Sequence, residues 1–531
     1  MSQTPTPHHP LADSPVHPHP RAYERRWWVL LVLSASVFLV VVDNLIINVA
    51  LPTLQRELGA STTSLQWIVD SYALVFACLL LAGGGLGDRY GRKRALQVGL
   101  VIFAICSAAA AFADTANSLI VWRGAMGIGA ALVFPATLAI ITNLFIDPIE
   151  RAKAIGLWSA VSGMAVAFGP IAGGFLLEHF WWGSVFLVNI PIIAVALTAG
   201  HFLVPNSRER TSAPLDIVGL VLSVVAIGVL VYTVIESPHW GWGSTNSNIG
   251  FAVAVGSLVG FVVLQRRKDH PLLDVRFFSN ARFSAGAGSI GIAFFCLFGF
   301  TFLVTQYFQF VRGYDPLESG VRTLPFAIGA GITAPIAARA ALRFGTKRVV
   351  TLGLALMSVG FLVVGNVEAD AAYFGPIVIS MVMMAMGLSL VTSPSTEAVM
   401  GSLPRERAGV GSAVNDLARE VGGTLGVAVT GSVFVSLYGP RIAERFNAVP
   451  GLVDALPTGV FGAAQDSVGA AYVVAQQAPP EATATVGAAV SDAFMHGFGT
   501  ACTVVAAMAA IGSVVALLFL PARAADHEQL H

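Results

Sequence analysis

Apolar residues run along this chain in fourteen stretches, each close to 20 residues long and separated from the next by a short polar break. The stretches fall at 27 to 50, 65 to 86, 96 to 113, 117 to 141, 153 to 176, 184 to 204, 215 to 235, 249 to 265, 283 to 303, 319 to 341, 348 to 366, 373 to 396, 408 to 436 and 493 to 520. At about 1.5 Å of rise per residue, roughly 20 residues of α-helix cross the hydrocarbon core of a bilayer. Only a helix or a closed barrel satisfies its own backbone hydrogen bonds there, so the pattern predicts an all-α polytopic membrane protein. An even number of crossings puts both termini on one side.

Composition agrees with lipid as the solvent. Of 531 residues 55% are hydrophobic and only 11% charged, where a soluble domain carries about 25% charged residues. The formal charge of +0 gives no bias toward nucleic acid, so the cations matter by position. With the N-terminus inside, 23 of the 30 Lys and Arg fall in inner segments and 5 in outer ones (Arg56, Arg312, Arg322, Arg441, Arg445), with Arg123 and Arg419 inside spans. The positive-inside rule then places both termini in the cytoplasm, and the inner membrane of a bacterial cell is the expected location. Cys78, Cys106, Cys296 and Cys502 all sit in apolar runs, which suits small core hydrophobes better than disulfides or a metal site.

The segments outside the spans read differently. Residues 1–26 form a Pro- and His-rich cytoplasmic tail that lacks the apolar content to fold, and residues 521–531 form a second tail. The first span is too long for a signal peptide and carries Asp43, so it is expected to be retained. Residues 437–488 read as one long outer loop whose middle, LVDALPTGVFGAAQDSVGAAYVV, can form an amphipathic helix or hairpin.

The chain also repeats itself. LGDRYGRKR after span two returns as ALRFGTKR after span ten, AMGI at 125 as AMGL at 385, and ERAKAIG at 150 as ERAGVG at 406, at offsets of 254, 260 and 256. Leu342 stands in the second copy where Asp88 stands in the first. Offsets that agree so closely imply a duplicated six-helix block: residues 27–204 and 283–520 are parallel halves, and 205–282 insert two further crossings. Repeats of this kind enclose a midplane site reached alternately from each side.

These residues resemble the fourteen-span drug:proton antiporters of the major facilitator superfamily, over all of the chain but the tail and the long outer loop. The loop signature is present as Gly84, Leu86, Asp88, Arg89, Gly91, Arg92 and Lys93, and an exporter signature on span five as Gly169, Pro170, Gly173 and Gly174. VVDNLIINVALP in span one is similar to the fourteen-span branch. Met126 departs from it, replacing the glutamine that often follows the span-four arginine. The resemblance implies proton-driven efflux of lipophilic, cationic drugs or toxic metabolites by alternating access, with no cofactor beyond the proton gradient. It also implies contact with membrane lipids, no nucleic-acid partner, and function as a monomer. A lipid or metabolite exporter on the same fold is the alternative.

Charges inside spans are expensive and mark candidate sites. Asp43, Arg123 and Asp70 fall about 12, 9 and 8 Å below the outer ends of their spans. Desolvation and a nearby guanidinium pull a buried carboxylate's protonation in opposite directions, so water access or a cationic substrate can switch it. Asp43 is thus read as proton carrier, Arg123 as its tuner and Asp70 as an attractor of cations; a static ion pair between helices is the competing reading. On span thirteen, Asp416 and Glu420 share a helical face, with Arg419 three residues from Asp416. They form either a second site for protons or cationic substrate, or a neutralised structural pair. GDRYGRKR reads as a latch for the outward-open state, with Asp88 facing a helix end of the other half. Gly169 and Gly173 with Pro170 read as a bent, closely packed helix that shapes the cavity.

Rivals from other classes find little in the sequence. No lysine precedes Ser or Thr, which removes a phosphate-binding loop and direct ATP drive. Inside the apolar runs neither His-Glu-x-x-His nor Gly-x-Ser-x-Gly occurs to support a membrane-embedded enzyme; the His-Glu-x-x-His run at 527–531 lies in the C-terminal tail. Around the second half, Phe294, Phe295, Phe298, Phe300, Phe302, Tyr307 and Phe308, with Met381, Met383, Met384 and Met386, supply adaptable apolar surface of which only a few members are expected to line a cavity.

Overall fold

The computed structural model describes residues 23–207, 216–269, 271–403, 408–457, 459–478 and 480–521. The tails at 1–22 and 522–531, and Arg208, Arg210, Arg405 and Arg407 of the basic loops, lie outside these described residues.

Among the described residues, fourteen principal helices carry the chain back and forth. In the first half they are α1 (Arg26–Leu58), α2 (Thr62–Tyr90), α3 (Arg92–Ala111), α4 (Ala116–Leu144), α5 (Pro148–His179) and α6 (Asn189–Leu203). The insert supplies α7 (Ile217–Trp240) and α8 (Thr245–Arg267). The second half has α9 (Ala281–Gln306), α10 (Leu324–Phe344), α11 (Thr346–Gly365), α12 (Val378–Met400), α13 (Ala408–Asn447) and α14 (Pro480–Phe519). Among the described residues, thirteen helices are long and apolar enough to cross a membrane; the remaining crossing is α5, 32 residues long. The protein is an integral membrane protein.

Local chemistry sets where these helices begin and turn. Ser61, Thr115, Asp147 and Ser244 each accept a hydrogen bond from the backbone N–H three residues on, so each closes an orphan donor at a helix start. The two copies of the basic loop turn on Gly91 (φ 112°) and Gly345 (φ 85°), a backbone region that side chains with a Cβ avoid. The end of the bundle bearing these loops is the basic end; the other is the far end.

The duplication is visible in packing. In the first half α1 packs on α5 and α6, α2 and α3 on α4, and α3 on α6; in the second, α9 packs on α13 and α14, α10 and α11 on α12, and α11 on α14. The same pairings recur with the helix number raised by eight. Between the halves, α2 meets α13, and α5 meets the short helix Pro316–Val321 that leads into α10.

The inserted pair forms a hairpin over one seam. Helix α7 packs against both α2 and α13. Trp67 Nε1 donates to Glu236 Oε1 (3.1 Å) and Thr63 meets His239 (2.9 Å) on the α2 side. On the α13 side Ser432 Oγ donates to the Val234 carbonyl (2.8 Å) and Trp242 Nε1 to Ser436 Oγ (3.2 Å). At the basic end Asp216 caps α7, accepting from Gly219 N (2.8 Å) and Gln265 Nε2 (2.6 Å), and pairs with Lys268. Burial works against ionisation of Asp216, but the Lys268 ammonium, the Gly219 N–H and the Gln265 amide outweigh it and hold the carboxyl below its ordinary range.

Two expectations need correction. Helix α1 runs to Leu58 rather than ending near 50, with Pro52 inside it. Residues 437–488 are shorter as a connection than expected: α13 continues to Asn447 and α14 starts at Pro480, while the short helices Leu452–Ala455, Val460–Asp466 and Val468–Gln477 fall on the segment expected to form an amphipathic helix or hairpin. Apolar burial explains this, since Tyr438, Ile442, Phe446, Val468 and Ala471 are all buried beneath the cap. The cap reaches the first half, where Gly469 N donates to Gln55 Oε1 (3.2 Å) and Thr62 Oγ1 to the Asp466 carbonyl (3.1 Å).

Candidate functional site

Asp43 and Arg123 meet in the core of the first half. Arg123 Nη1 donates to Asp43 Oδ2 at 2.5 Å, with both side chains fully buried. Asn189 Nδ2 donates to the other oxygen, Oδ1, at 2.8 Å, and to Ser107 Oγ at 3.0 Å. Arg123 Nε reaches the Ile68 carbonyl (3.1 Å), and its guanidinium lies 4.4 Å from the Tyr72 ring centre. Five helices, α1, α2, α3, α4 and α6, therefore converge on one ion pair. A buried pair offsets its desolvation best when its remaining hydrogen-bonding positions are filled. Here one is not: Arg123 Nη2 has no partner, and Met126, buried one turn on, has no side-chain oxygen to offer.

Asp70 stands apart. It is fully buried on α2, and neither carboxyl oxygen has a hydrogen-bond partner among the described residues. Its helical neighbours show which way it faces. Gln66, four residues earlier on the same side, donates to the Ala428 carbonyl (3.1 Å) and Ser432 Oγ (3.4 Å) of α13, while Trp67 reaches α7. Asp70, three residues from Trp67 and four from Gln66, thus falls on the side of α2 that meets α13 and α7, where Trp67 and Leu74 pack with Leu425, Ala428 and Val231 in an apolar cluster.

The span-thirteen group is partly assembled. Asp416 accepts from Asn415 Nδ2 (3.3 Å), whose Oδ1 accepts from Thr396 (2.8 Å). Arg419 lies over Phe294 at 5.3 Å, and among the described residues no Asp416–Arg419 ion pair closes within 4 Å.

The loop signature is engaged within its own half. Asp88 pairs with Arg92 at 2.7 Å; Arg92 also donates to the Ala139 carbonyl (3.3 Å), and Lys93 Nζ donates to the His201 carbonyl (2.6 Å) at the end of α6. A cation on the last carbonyls of a helix complements its dipole. Arg89 lies beside the Tyr90 ring, and Gly84 approaches Pro135 of α4, where a Cβ would stand 3.6 Å from it.

Glycines of span five do two different jobs. A Cβ at Gly169 would stand 2.9 Å from Leu45 Cβ, and one at Gly173 2.8 Å from Ile46 Cγ1, so these face α1 in the same half. A Cβ at Gly174 would stand 2.5 Å from the Pro316 carbonyl oxygen, and one at Gly320 2.3 Å from the Pro170 carbonyl oxygen. Backbone meets backbone across the two halves, and this contact closes the far end. The hydrogen bonds from Gln66 and Thr62, from Gly469 N to Gln55 Oε1, and from Gln309 Nε2 to the Val49 carbonyl (2.9 Å) add to the same closure.

Beneath the closure lies a cleft between the halves, with a cavity volume of about 40 Å³ in this state. Of the aromatic and thioether groups singled out in the sequence, Phe300 and Met381 line it; Asn48, Thr301, Thr305 and Thr323 are its polar members. Asp43, Asp70 and Glu420 do not line it. Asn189, Ser107 and Tyr72 were missed by sequence reasoning, although a lone Asn inside an apolar run, as at 189, is the same kind of signal as Asp43.

Residues 33–325 and again 289–525 match the Major Facilitator Superfamily. The chain is 36% identical over 465 residues to "Multidrug efflux pump LfrA" of Mycolicibacterium smegmatis, covering 88% of this chain and 90% of that one. It is 35% identical over 499 residues to "Methyl viologen resistance protein SmvA" of Salmonella typhimurium, covering 93% and 97%. Identity is 33% over 507 residues to the "Tetracenomycin C resistance and export protein" of Streptomyces glaucescens, covering 93% and 91%. Among solved structures, the bacterial homolog of the human lysosomal transporter Spinster superposes with a TM-score of 0.64 at 16% identity, over 96% of this chain and 100% of that one. A D-xylose-proton symporter gives 0.58 at 13% identity, over 94% and 98%; at such identities these two establish the fold alone. Two six-helix halves with a duplicated packing scheme, a signature loop at the basic end and glycine-mediated closure at the far end place the chain in the Major Facilitator Superfamily, among its drug-efflux transporters.

Proposed function

We propose that the protein expels lipophilic, cationic compounds from a bacterial cell across its inner membrane in exchange for protons, with no bound cofactor and as a monomer. Its basic end faces the cytoplasm, in keeping with the cation bias. The described state, closed at the far end, is then the one that takes up cargo from inside.

The observation that carries the reading is Asp70. An ionised carboxylate with no partner is too costly to keep in an apolar seam, so the geometry suits the neutral acid. When α2 and α13 part to open the far side, the same group meets water and can exchange its proton. Asp43 is held differently, with both oxygens hydrogen-bonded, so it serves as the fixed partner of Arg123 until cargo or protonation disturbs the pair. Asp416 and Glu420 provide a further site for protons or for a cationic cargo in the second half. The loop at Asp88 is the latch in its released form, and it engages the second half when the basic end closes.

Proteoliposomes carrying the purified chain and a pH-sensitive dye inside test this. Addition of a lipophilic cation should release protons on one side and consume them on the other, and Asp70→Asn should uncouple drug flux from proton flux. Undiminished drug-dependent proton movement by Asp70→Asn refutes the assignment. The export protein for tetracenomycin C among the relatives favours a second reading, a narrow cargo range centred on one aromatic metabolite; a competition panel of unrelated cations distinguishes the two.

A further inference from the structure

The polar groups of the cleft share a chemical bias. Thr301 Oγ1 donates its proton to the Leu297 carbonyl (2.8 Å), Thr305 Oγ1 to the Thr301 carbonyl (3.3 Å) and Thr323 Oγ1 to the Gly320 carbonyl (2.7 Å). Each hydroxyl has spent its only proton on a backbone acceptor and retains only lone pairs. Asn48 behaves alike. Its Nδ2 donates to the Asn44 carbonyl (3.2 Å), an atom that can only accept, so the amide orientation is set and Oδ1 is left over. That oxygen is buried and has no partner. Gln309, at the far closure, repeats the pattern, with Nε2 on the Val49 carbonyl and Oε1 unpartnered. The cleft has four polar residues, no charged side chain and otherwise apolar or aromatic walls that include Phe300, Phe326 and Met381.

We propose that this cleft selects cargo by hydrogen-bond donation: it takes an apolar, flat molecule through an N–H or O–H group received by Asn48, Thr301, Thr305 and Thr323. The inference deepens the proposed function, since it rests on the cleft being a cargo site. A molecule with acceptors only would face acceptors across the cleft and lose its own hydration without replacement. A donor satisfies the Asn48 oxygen, which is otherwise buried unpaired, and this asymmetry is what gives polar sites their discrimination. A permanent charge is not required, because no side chain of the cleft carries a countercharge; an ammonium and a phenol both qualify through the proton they offer.

Binding to the purified full-length chain in detergent, with no gradient present, tests the inference independently of proton coupling. The probes are two matched pairs: an acridine carrying a protonated tertiary amine against its quaternary N-methyl form, and a naphthol against its methyl ether. The donor-bearing member of at least one pair should bind about tenfold or more tightly than its methylated twin. Preference in the amine pair alone assigns the site to ammonium groups, and preference in both assigns it to donors generally. Asn48→Leu and Thr305→Val should each bring the twins to within about twofold by weakening the donor form only, whereas a folding defect would weaken both. Equal affinity of the twins for the unmodified chain, equal losses for both in the variants, or no saturable binding of any of the four overturns the proposal.

Discussion

Adding one methyl group at Gly174 should open the far side of this transporter. The new Cβ would stand 2.5 Å from the Pro316 carbonyl oxygen and 2.6 Å from Leu317 Cα, both backbone positions that have no rotamer to change. Ordinary contact needs about 3.4 Å or more, so α5 and the Pro316–Val321 helix must separate by nearly 1 Å. Overpacking of this kind costs about 1–3 kcal/mol. The clash exists only while the halves touch at the far end, so the cost falls on the far-closed state and shifts the equilibrium toward the far-open one by roughly 5- to 150-fold. A reporter cysteine in place of Ala327, which lines the cleft, in a chain lacking Cys78, Cys106, Cys296 and Cys502, reads that shift. Its labelling rate with an impermeant maleimide added on the far side rises with the far-open population. Gly174→Ala and Gly320→Ala should label at least fivefold faster. Gly173→Ala should not, because its clash with Ile46 lies within one half and strains both states alike. Gly228→Ala is the control, having nothing within 4 Å. A folded Gly174→Ala protein that labels at the unmodified rate, or a Gly173→Ala protein that labels as fast as Gly174→Ala, refutes the gate.

Other expectations follow from single contacts. Asp43→Ala strands the Arg123 guanidinium in the core and should lower unfolding stability by about 3–5 kcal/mol; Asp43→Ala with Arg123→Met should recover much of it in a thermal melt without restoring transport, and a double variant as unstable as the single one would contradict the pairing. Glu420→Gln is expected to change the coupling ratio or the range of cations expelled, as measured by efflux from loaded vesicles; unchanged values would assign the span-thirteen acids a structural part only. Asp216 has a lowered folded-state pKa, so its contribution to the α7–α8 clasp is fully present above its unfolded value of about 4 and is lost as pH falls through the lower folded one. Hydrogen exchange at Gly219 and Leu220 should therefore accelerate in Asp216→Asn at neutral pH, and in the unmodified chain only under strong acid; equal protection in the variant would show that Lys268 and Gln265 do not hold the helix start.

Much of this protein was written in the spacing of its apolar residues. Fourteen runs of spanning length, an asymmetric distribution of cations and three repeats at nearly constant offset determined the crossings, the duplication and the position of the insert, because the bilayer punishes any unpaired backbone group and leaves the helix as the one local solution. Asp43 and Arg123 were legible as a pair for a related reason: two opposite charges in oil must find one another. Tertiary structure alone decided the rest. That Gly173 packs within a half while its neighbour Gly174 meets the other half depends on which side of one helix each faces. That Asp70 is unpaired, and that the cleft offers acceptors but no donors, depends on which carbonyls happen to receive each proton. The 437–488 segment became a helical cap because apolar residues such as Tyr438 and Phe446 found distant partners to bury against. Helix periodicity is a property of neighbours in sequence; contact between halves is a property of residues hundreds of positions apart, and no local pattern encodes it.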